Sequence, residues 1–320
     1  MDYRKGELLM KEYGFGVDLG GTTCKIGLFR TDGELIEKWE IPTDTAEEGA
    51  RILPDIAASI DEKLREKGIS KDDVQGVGIG VPGAVRPDGV VNRCVNLGWG
   101  VRPLEKEFGE LSGLKVKAAN DANIAALGEA WMGGGRDASS VVMITLGTGI
   151  GGGIIIDGQI LTGFNGAAGE IGHVVLDPDE TRKCNCGNFG CAELYGSATG
   201  IAYLASQALL SSDKPSALRE IADPSAKDVF DALKAGDELA GDIVDEVCGY
   251  LGRLCAIITN IVNPEIILIG GGVSKAGNIL IERLQPAFSK TVFHASAETK
   301  MALAELGNDA GIYGGVRLIL

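Results

Sequence analysis

The sequence predicts an α/β protein of two lobes with a cleft between them, and three observations carry that prediction. Its 320 residues exceed the roughly 100–200 of an ordinary single domain. The stretches that begin at Tyr13 and Val141 repeat one pattern of apolar strand, Leu-Gly turn rich in threonine and glycine, second apolar strand and Asp-Gly turn. Such self-similarity points to an internal duplication. Finally, the chain holds 48 glycines, about twice the ordinary usage of ~7%, an excess that asks for a backbone explanation.

The elements follow in order. Tyr13 to Leu19, Cys24 to Arg30 and Leu35 to Ile41 read as three short strands joined by tight turns, an antiparallel meander. A helical stretch from Ala46 to Lys67 leads to an apolar run, Val74 to Val81, that stops at Pro82-Gly83. Strand, helix, strand implies a parallel addition to the meander. A further strand, Val116 to Ala119, runs through Asn120-Asp121 into a helix from Asn123 to Met132, and Gly133 to Gly135 break the chain. Val141 to Leu146 and Gly153 to Ile156 open the second copy. A long amphipathic helix from Glu238 to Val262 and a buried strand from Ile266 to Ile269 come later. We expect a first lobe over 1–119, a second over 120–308, and a C-terminal helix over about 309–320 that packs back on the first.

The net charge of −15 argues against a nucleic-acid or anionic-membrane surface. No apolar stretch at the start resembles a secretion signal, and the apolar run Val141 to Ile156 is short of the ~18–20 residues that span a bilayer, so a cytoplasmic protein is expected. Cysteine is present in an odd number, seven, with Cys184, Cys186 and Cys191 close together, which suits a metal site better than a disulfide framework. Cys24, Cys94, Cys248 and Cys255 lie in apolar contexts and read as buried core thiols.

Asp18-Leu19-Gly20-Gly21-Thr22-Thr23 joins two strands with no room for a helix. Adjacent glycines let backbone N–H groups point at an anion, and two hydroxyls add donors. Alone it is equally an ordinary hairpin. A second such turn, Gly147-Thr148-Gly149 and the glycines to Gly152, implies a large polyanion, a di- or triphosphate, held on both. Gly147, Gly149 and Gly152 also fit the dinucleotide fingerprint, but that motif opens a helix, whereas a strand and a turn follow here. Gly270-Gly271-Gly272, after the buried strand, lets a flat ring approach the backbone and would place adenosine.

His173 with Cys184, Cys186 and Cys191 offers one imidazole and three thiolates, the donor set of a closed, four-coordinate structural zinc site. Asp121, between a strand and a helix, is the candidate catalytic base, its ionised form favoured by the helix dipole, although aspartate is also a common helix cap.

Together these residues resemble the ROK family of sugar kinases, within the actin-like ATPase superfamily, whose fold is ribonuclease H-like. The most specific pieces are Gly169-Glu170-Ile171-Gly172-His173 and the run from Cys184-Asn185-Cys186-Gly187 through Gly190-Cys191-Ala192-Glu193, which match the family's G-E-x-G-H and C-x-C-G-x-x-G-C-x-E. The resemblance implies that Asp121 activates a sugar 6-hydroxyl, that Gly83, Asn120, Glu170, His173 and Glu193 bind the sugar, and that Asp18 faces Mg²⁺ beside the ATP phosphates. It implies one ring nitrogen of His173 on zinc and the other on the sugar. Asn96-Leu97-Gly98-Trp99 and Glu193-Leu194-Tyr195 are most similar to the bacterial glucokinases of the family, so glucose is the expected acceptor. N-acetylmannosamine, N-acetylglucosamine, mannose, allose and fructose are the alternatives, and a homodimer or homotetramer is expected. A sugar-sensing repressor is disfavoured because only a short segment precedes Asp18, where a helix-turn-helix would sit. A chaperone or filament subunit is disfavoured by the zinc knuckle.

Overall fold

The computed structural model describes residues 10–320; residues 1–9, part of the opening on which the expectation of no secretion signal rests, lie outside the described residues. The elements begin β1 (Tyr13–Leu19), β2 (Thr23–Arg30), β3 (Leu35–Pro42), α1 (Ala46–Gly49), α2 (Ile52–Lys67), β4 (Val74–Val81), α3 (Leu104–Ser112), β5 (Val116–Asn120) and α4 (Asp121–Met132). There follow β6 (Ser140–Leu146), β7 (Ile150–Ile156), β8 (Gln159–Ile160), α5 (Glu193–Gly196), α6 (Ala198–Ser211), α7 (Ala226–Lys234) and α8 (Glu238–Val262). The chain ends with β9 (Ile266–Gly270), α9 (Asn278–Ser289), β10 (Lys300–Leu303) and α10 (Ala310–Ile319). Two compact units divide these elements. The first runs through Met132 and takes in Thr162–Ala168 and Asn308–Leu320; the second is Gly133–Leu161 with Gly169–Gly307.

The first unit carries a sheet in the order β3-β2-β1-β4-β5. β1 runs antiparallel to β2 and parallel to β4, a register that sets Asp18 opposite Lys25 on one side and Gly80 on the other. Phe15, Val17, Ile26, Leu28, Val77 and Ile79 are buried against the apolar face of α2, while α10 packs on β1, β4 and α4. That second contact explains part of the glycine excess. A Cβ on Gly16 or Gly78 would overlap the backbone carbonyl of Ile312 or Gly315, so the α10 backbone lies directly on the strands.

The second unit repeats the plan: its sheet runs β10-β9-β6-β7-β8, with β6 antiparallel to β7 and parallel to β9. β6 to β10 thus occupy the places of β1 to β5; the repeated sequence pattern covers the first two of these pairs, and the structure extends it to the other three. α8 is the core helix, burying Ile243, Val247, Leu251, Leu254 and Ile258. No helix among the described residues is long and apolar enough to cross a membrane.

Two local expectations are corrected. The helix expected from Ala46 to Lys67 is broken: Glu47, Glu48 and Gly49 adopt left-handed φ values of 50, 56 and 66°, and the right-handed helix starts only at Ile52. A left-handed non-glycine residue costs roughly 1–2 kcal/mol, and the compensation is visible at Gly49. Its carbonyl accepts from Trp99 Nε1 at 3.3 Å, and a Cβ there would lie 2.5 Å from the Leu97 carbonyl. The second glycine turn is also shorter than expected, because β7 begins at Ile150 and Gly151 to Gly153 belong to the strand. Gly152 sits there because a Cβ would come within 2.7 Å of the Gly169 carbonyl.

Candidate active site

In the first unit β1 delivers Asp18 to the end of its buried run, and the chain reverses through Gly20, Gly21 and Thr22 into Thr23 of β2. The Gly20 N–H donates to the Thr23 carbonyl at 3.0 Å and closes the turn. Thr43, just past β3, braces it from outside: its N–H donates to the Thr22 carbonyl at 2.9 Å and its Oγ1 to the Gly20 carbonyl at 2.8 Å. The carboxyl of Asp18 is pushed up to about 6, first by burial and then by the charge of Asp121, with Lys25 working in the other direction. Lys25 Nζ is itself fixed, donating to Asp309 Oδ1 at 3.1 Å and to the Asn308 carbonyl at 2.7 Å.

Asn120 and Asp121 stand where β5 becomes α4. Asn120 takes the capping role: its Oδ1 accepts from the N–H groups of Ala122 at 3.0 Å and Asn123 at 3.3 Å, and its Nδ2 donates to the Gly83 carbonyl at 3.4 Å. Asp121 is the next residue, the first of the helix, half-buried, with Oδ1 accepting from the Ala122 N–H at 2.8 Å. Asp18, Gly20, Gly21, Thr22, Thr23, Gly83, Asn120 and Asp121 therefore all belong to the first unit.

The second unit holds the other predicted residues. Gly147, Thr148 and Gly149 form the turn between β6 and β7, closed by the Gly147 N–H donating to the Gly149 carbonyl at 2.9 Å. Glu170 precedes a single 3₁₀ turn, Ile171–His173, that carries the imidazole. Ligand atoms of His173, Cys184, Cys186 and Cys191 all lie within 4.8 Å of one another. Cys184 Sγ is 3.7 Å from His173 Nδ1, and Cys186 Sγ is 3.7 Å from Cys191 Sγ. Bonds of ~2.3 Å to a tetrahedral zinc imply sulfur separations of about 3.8 Å, so the donor set and its spacing fit that ion. The other ring nitrogen, His173 Nε2, points to Glu170 Oε2 at 3.9 Å. Glu193 opens α5 two residues beyond the last cysteine, and its Oε2 accepts from the Ile150 N–H at 3.0 Å.

Gly270 ends β9, and Gly271 turns the chain with φ of 82°, its Cα so close to β6 that a Cβ would lie 2.5 Å from the Leu146 carbonyl. Gly272 opens a cavity of about 360 Å³ lined by Ala226, Phe230, Val273, Lys275 and Ala276. Its apolar walls suit a flat ring.

Residues 14–320 match the ROK family. A glucokinase of Halalkalibacterium halodurans is 45% identical over 315 residues, 95% of this chain and 94% of that protein. The crystal structure of a ROK family glucokinase from Streptomyces griseus in complex with glucose and AMPPNP superposes with a TM-score of 0.75 at 30% identity, covering 96% of this chain and 98% of that one. The crystal structure of a ROK family transcriptional regulator, a homolog of the E. coli MLC protein, gives 0.83 at 28% identity, covering 96% of this chain and 77% of that one. The chain belongs to the ROK family. Because the ROK fold serves a regulator and an enzyme alike, its residues rather than its architecture must decide between them.

Sequence reasoning missed several neighbours of the ROK motifs. Lys25 is seven positions past Asp18, and the antiparallel register that would place it opposite is readable once the turn is assigned. Thr43, the residues Asn308 to Gly311 that lead into α10 and the Ile150 amide are distant in sequence from the groups they meet and carry no local signal.

Proposed function

We propose that the protein is an ATP-dependent hexose kinase that phosphorylates the 6-hydroxyl of glucose. The observation that carries the choice of glucose is the 45% identity to a glucokinase over 95% of the chain. Asp121 accepts the proton of the 6-hydroxyl as it attacks the terminal phosphate; in a loose transition state the base mainly orients the nucleophile. Asn120 supports this role by capping α4 itself, which leaves Asp121 in the first turn where the helix dipole favours its carboxylate.

The remaining sugar hydroxyls are held by Gly83, Asn120, Glu170, His173 and Glu193. The 3.9 Å between His173 Nε2 and Glu170 Oε2 is too long for a direct hydrogen bond and short enough for one hydroxyl to bridge. Gly20, Gly21, Thr22 and Thr23, with Gly147, Thr148 and Gly149, offer N–H and hydroxyl donors to the phosphates. Gly270, Gly271 and Gly272 take adenosine, the base entering the cavity beside Phe230 and Val273. Asp18 faces Mg²⁺, which when bound neutralises phosphate charge. His173, Cys184, Cys186 and Cys191 hold Zn²⁺ in a closed site that fixes the ring orientation of His173 and the loop bearing Glu170. We further propose a homodimer or homotetramer acting in the cytoplasm, a point for light scattering and fractionation.

The test is ADP release in a coupled assay over a panel of hexoses. Glucose is expected to have the highest kcat/KM, with no ADP formed when sugar is omitted. A better rate with mannose or an N-acetylhexosamine would overturn the choice of glucose; no sugar-dependent ADP at all would overturn the kinase.

A further inference from the structure

The carboxylate of Glu193 does not stand alone beside the metal knuckle. Its Oε2 accepts from the Ile150 N–H at 3.0 Å and lies against Gly149, where a Cβ would overlap it. Its Oε1 lies 3.6 Å from Cys184 Sγ. One side chain therefore touches both the cysteine cluster and the turn proposed to carry ATP phosphates.

The segment that follows continues the grip. The Ala198 N–H donates to the Gly147 carbonyl at 2.8 Å, and Thr199 Oγ1 donates to the Thr148 carbonyl at 2.9 Å. Ile150 N–H and the carbonyls of Gly147 and Thr148 are thus all tied to residues 193–199. A glycine turn has many accessible conformations and loses entropy when it must present its N–H groups to an anion, so prior fixing lowers that cost.

The bracket is itself anchored. The Tyr195 ring stacks on Tyr250 of α8 at 3.8 Å with planes 10° apart, and its hydroxyl donates to Glu180 at 2.9 Å and Asp177 at 3.1 Å. Arg182 pairs with Glu180 through two nitrogens and lies 3.6 Å from the centre of the Tyr203 ring. Residues before and after the cysteines are by these contacts joined to the two core helices α6 and α8.

We propose that Glu193, besides any contact with the sugar, is a positioning residue that holds the glycine turn Gly147–Gly149 in its nucleotide-binding conformation. This rests on the reading of that turn as a phosphate site. It separates two roles: as a sugar ligand alone, Glu193 would leave nucleotide affinity untouched in the absence of sugar.

The experiment is calorimetric titration of ADP into the zinc-loaded protein without sugar. Glu193→Ala removes the acceptor of the Ile150 N–H and is expected to weaken ADP binding about 10-fold or more, whereas Glu193→Gln, whose amide oxygen still accepts, stays within about 3-fold of the native protein. Should the alanine variant not fold, Glu193→Asp, its carboxylate drawn back by roughly 1.5 Å, is expected to show the same loss. Native ADP affinity in the alanine or aspartate variant overturns the proposal, as does a glutamine variant as weak as alanine. A native protein that binds no ADP instead overturns the kinase reading on which it rests.

Discussion

The carboxyl of Asp18 rests against Gly311 at the start of α10: a Cβ on Gly311 would lie 2.7 Å from Asp18 Cγ. In most helices alanine is favoured over glycine by about 0.5–1 kcal/mol, but here the added methyl must displace the carboxyl. Gly311→Ala is therefore expected to keep its helical circular dichroism and to lose kcat/KM by 10-fold or more, since about 1 Å of misplacement at a reacting centre can cost ~10²-fold. Native rates across a magnesium titration would show that Asp18 need not sit where it does.

Asp18 also makes stability and activity respond to pH in opposite directions. Burial, then the charge of Asp121, lifts its carboxyl from 3.8 to about 6. A raised carboxyl pKa means that the folded state favours the protonated form. The associated stabilisation is complete below the unfolded value and is lost as pH rises through about 6. Asp18→Asn should therefore raise the unfolding free energy at pH 8, by on the order of 3 kcal/mol, and change almost nothing near pH 3, below the unfolded value of 3.8. In the proposed role beside Mg²⁺ Asp18 must be ionised, so kcat/KM should fall as pH drops through about 6, and Lys25→Met should move that limb upward by removing the opposing charge. Thermal melts at both pH values and a pH–rate profile check this; a variant stabilised as strongly near pH 3 as at pH 8 would contradict the sign.

Much of this was legible in the residues. β1, β6 and β9 are apolar runs that end at glycine, β4 is one that stops at Pro82-Gly83, and the same run-and-turn grammar appears twice, so the central strands of both sheets follow from periodicity, while the short edge strands β8 and β10 do not. His173 and the three cysteines were legible because few other constellations need those donors so closely spaced. What was not legible depends on contacts far apart in sequence. The left-handed turn at Glu47 to Gly49 exists because Leu97 and Trp99 press on Gly49, and nothing between Ala46 and Lys67 reports that. The glycines at 16 and 78 read as ordinary strand residues until α10 lies on them. Asn120 and Asp121 are both good caps, and only the hydrogen bonds tell which one serves.

That division of labour at the start of α4 predicts two distinct mutant phenotypes. Asp121→Ala should lower kcat by about 10²–10⁴-fold, the usual contribution of a positioned base, with glucose binding kept. Asn120→Ala should instead cost about 1 kcal/mol of stability through the lost cap and raise KM for glucose. Steady-state kinetics, tryptophan fluorescence titration and thermal melts of both variants separate the two. An Asp121 variant with native turnover would remove the residue from the chemistry.

The metal prediction follows from the thiols. Burial pushes Cys191 up to about 12 and raises Cys184, whereas the Asn188 N–H lowers Cys186. Without a cation the buried thiols keep their protons at neutral pH, and a bound zinc must displace them, so its affinity falls steeply as the solution is made acidic. Native protein is expected to carry about one zinc per chain, tightly at pH 8 and exchangeably near pH 5. Cys184→Ser should arrive without metal and melt on the order of 5–10 °C lower, as a loss of a few kcal/mol implies for a chain of this size. Because His173 and Glu170 sit on the loop that the cluster closes, this variant should also lose glucose affinity. Elemental analysis beside a melt decides it: a zinc-free preparation with native stability and native glucose binding would mean that the four ligands hold their geometry by packing alone.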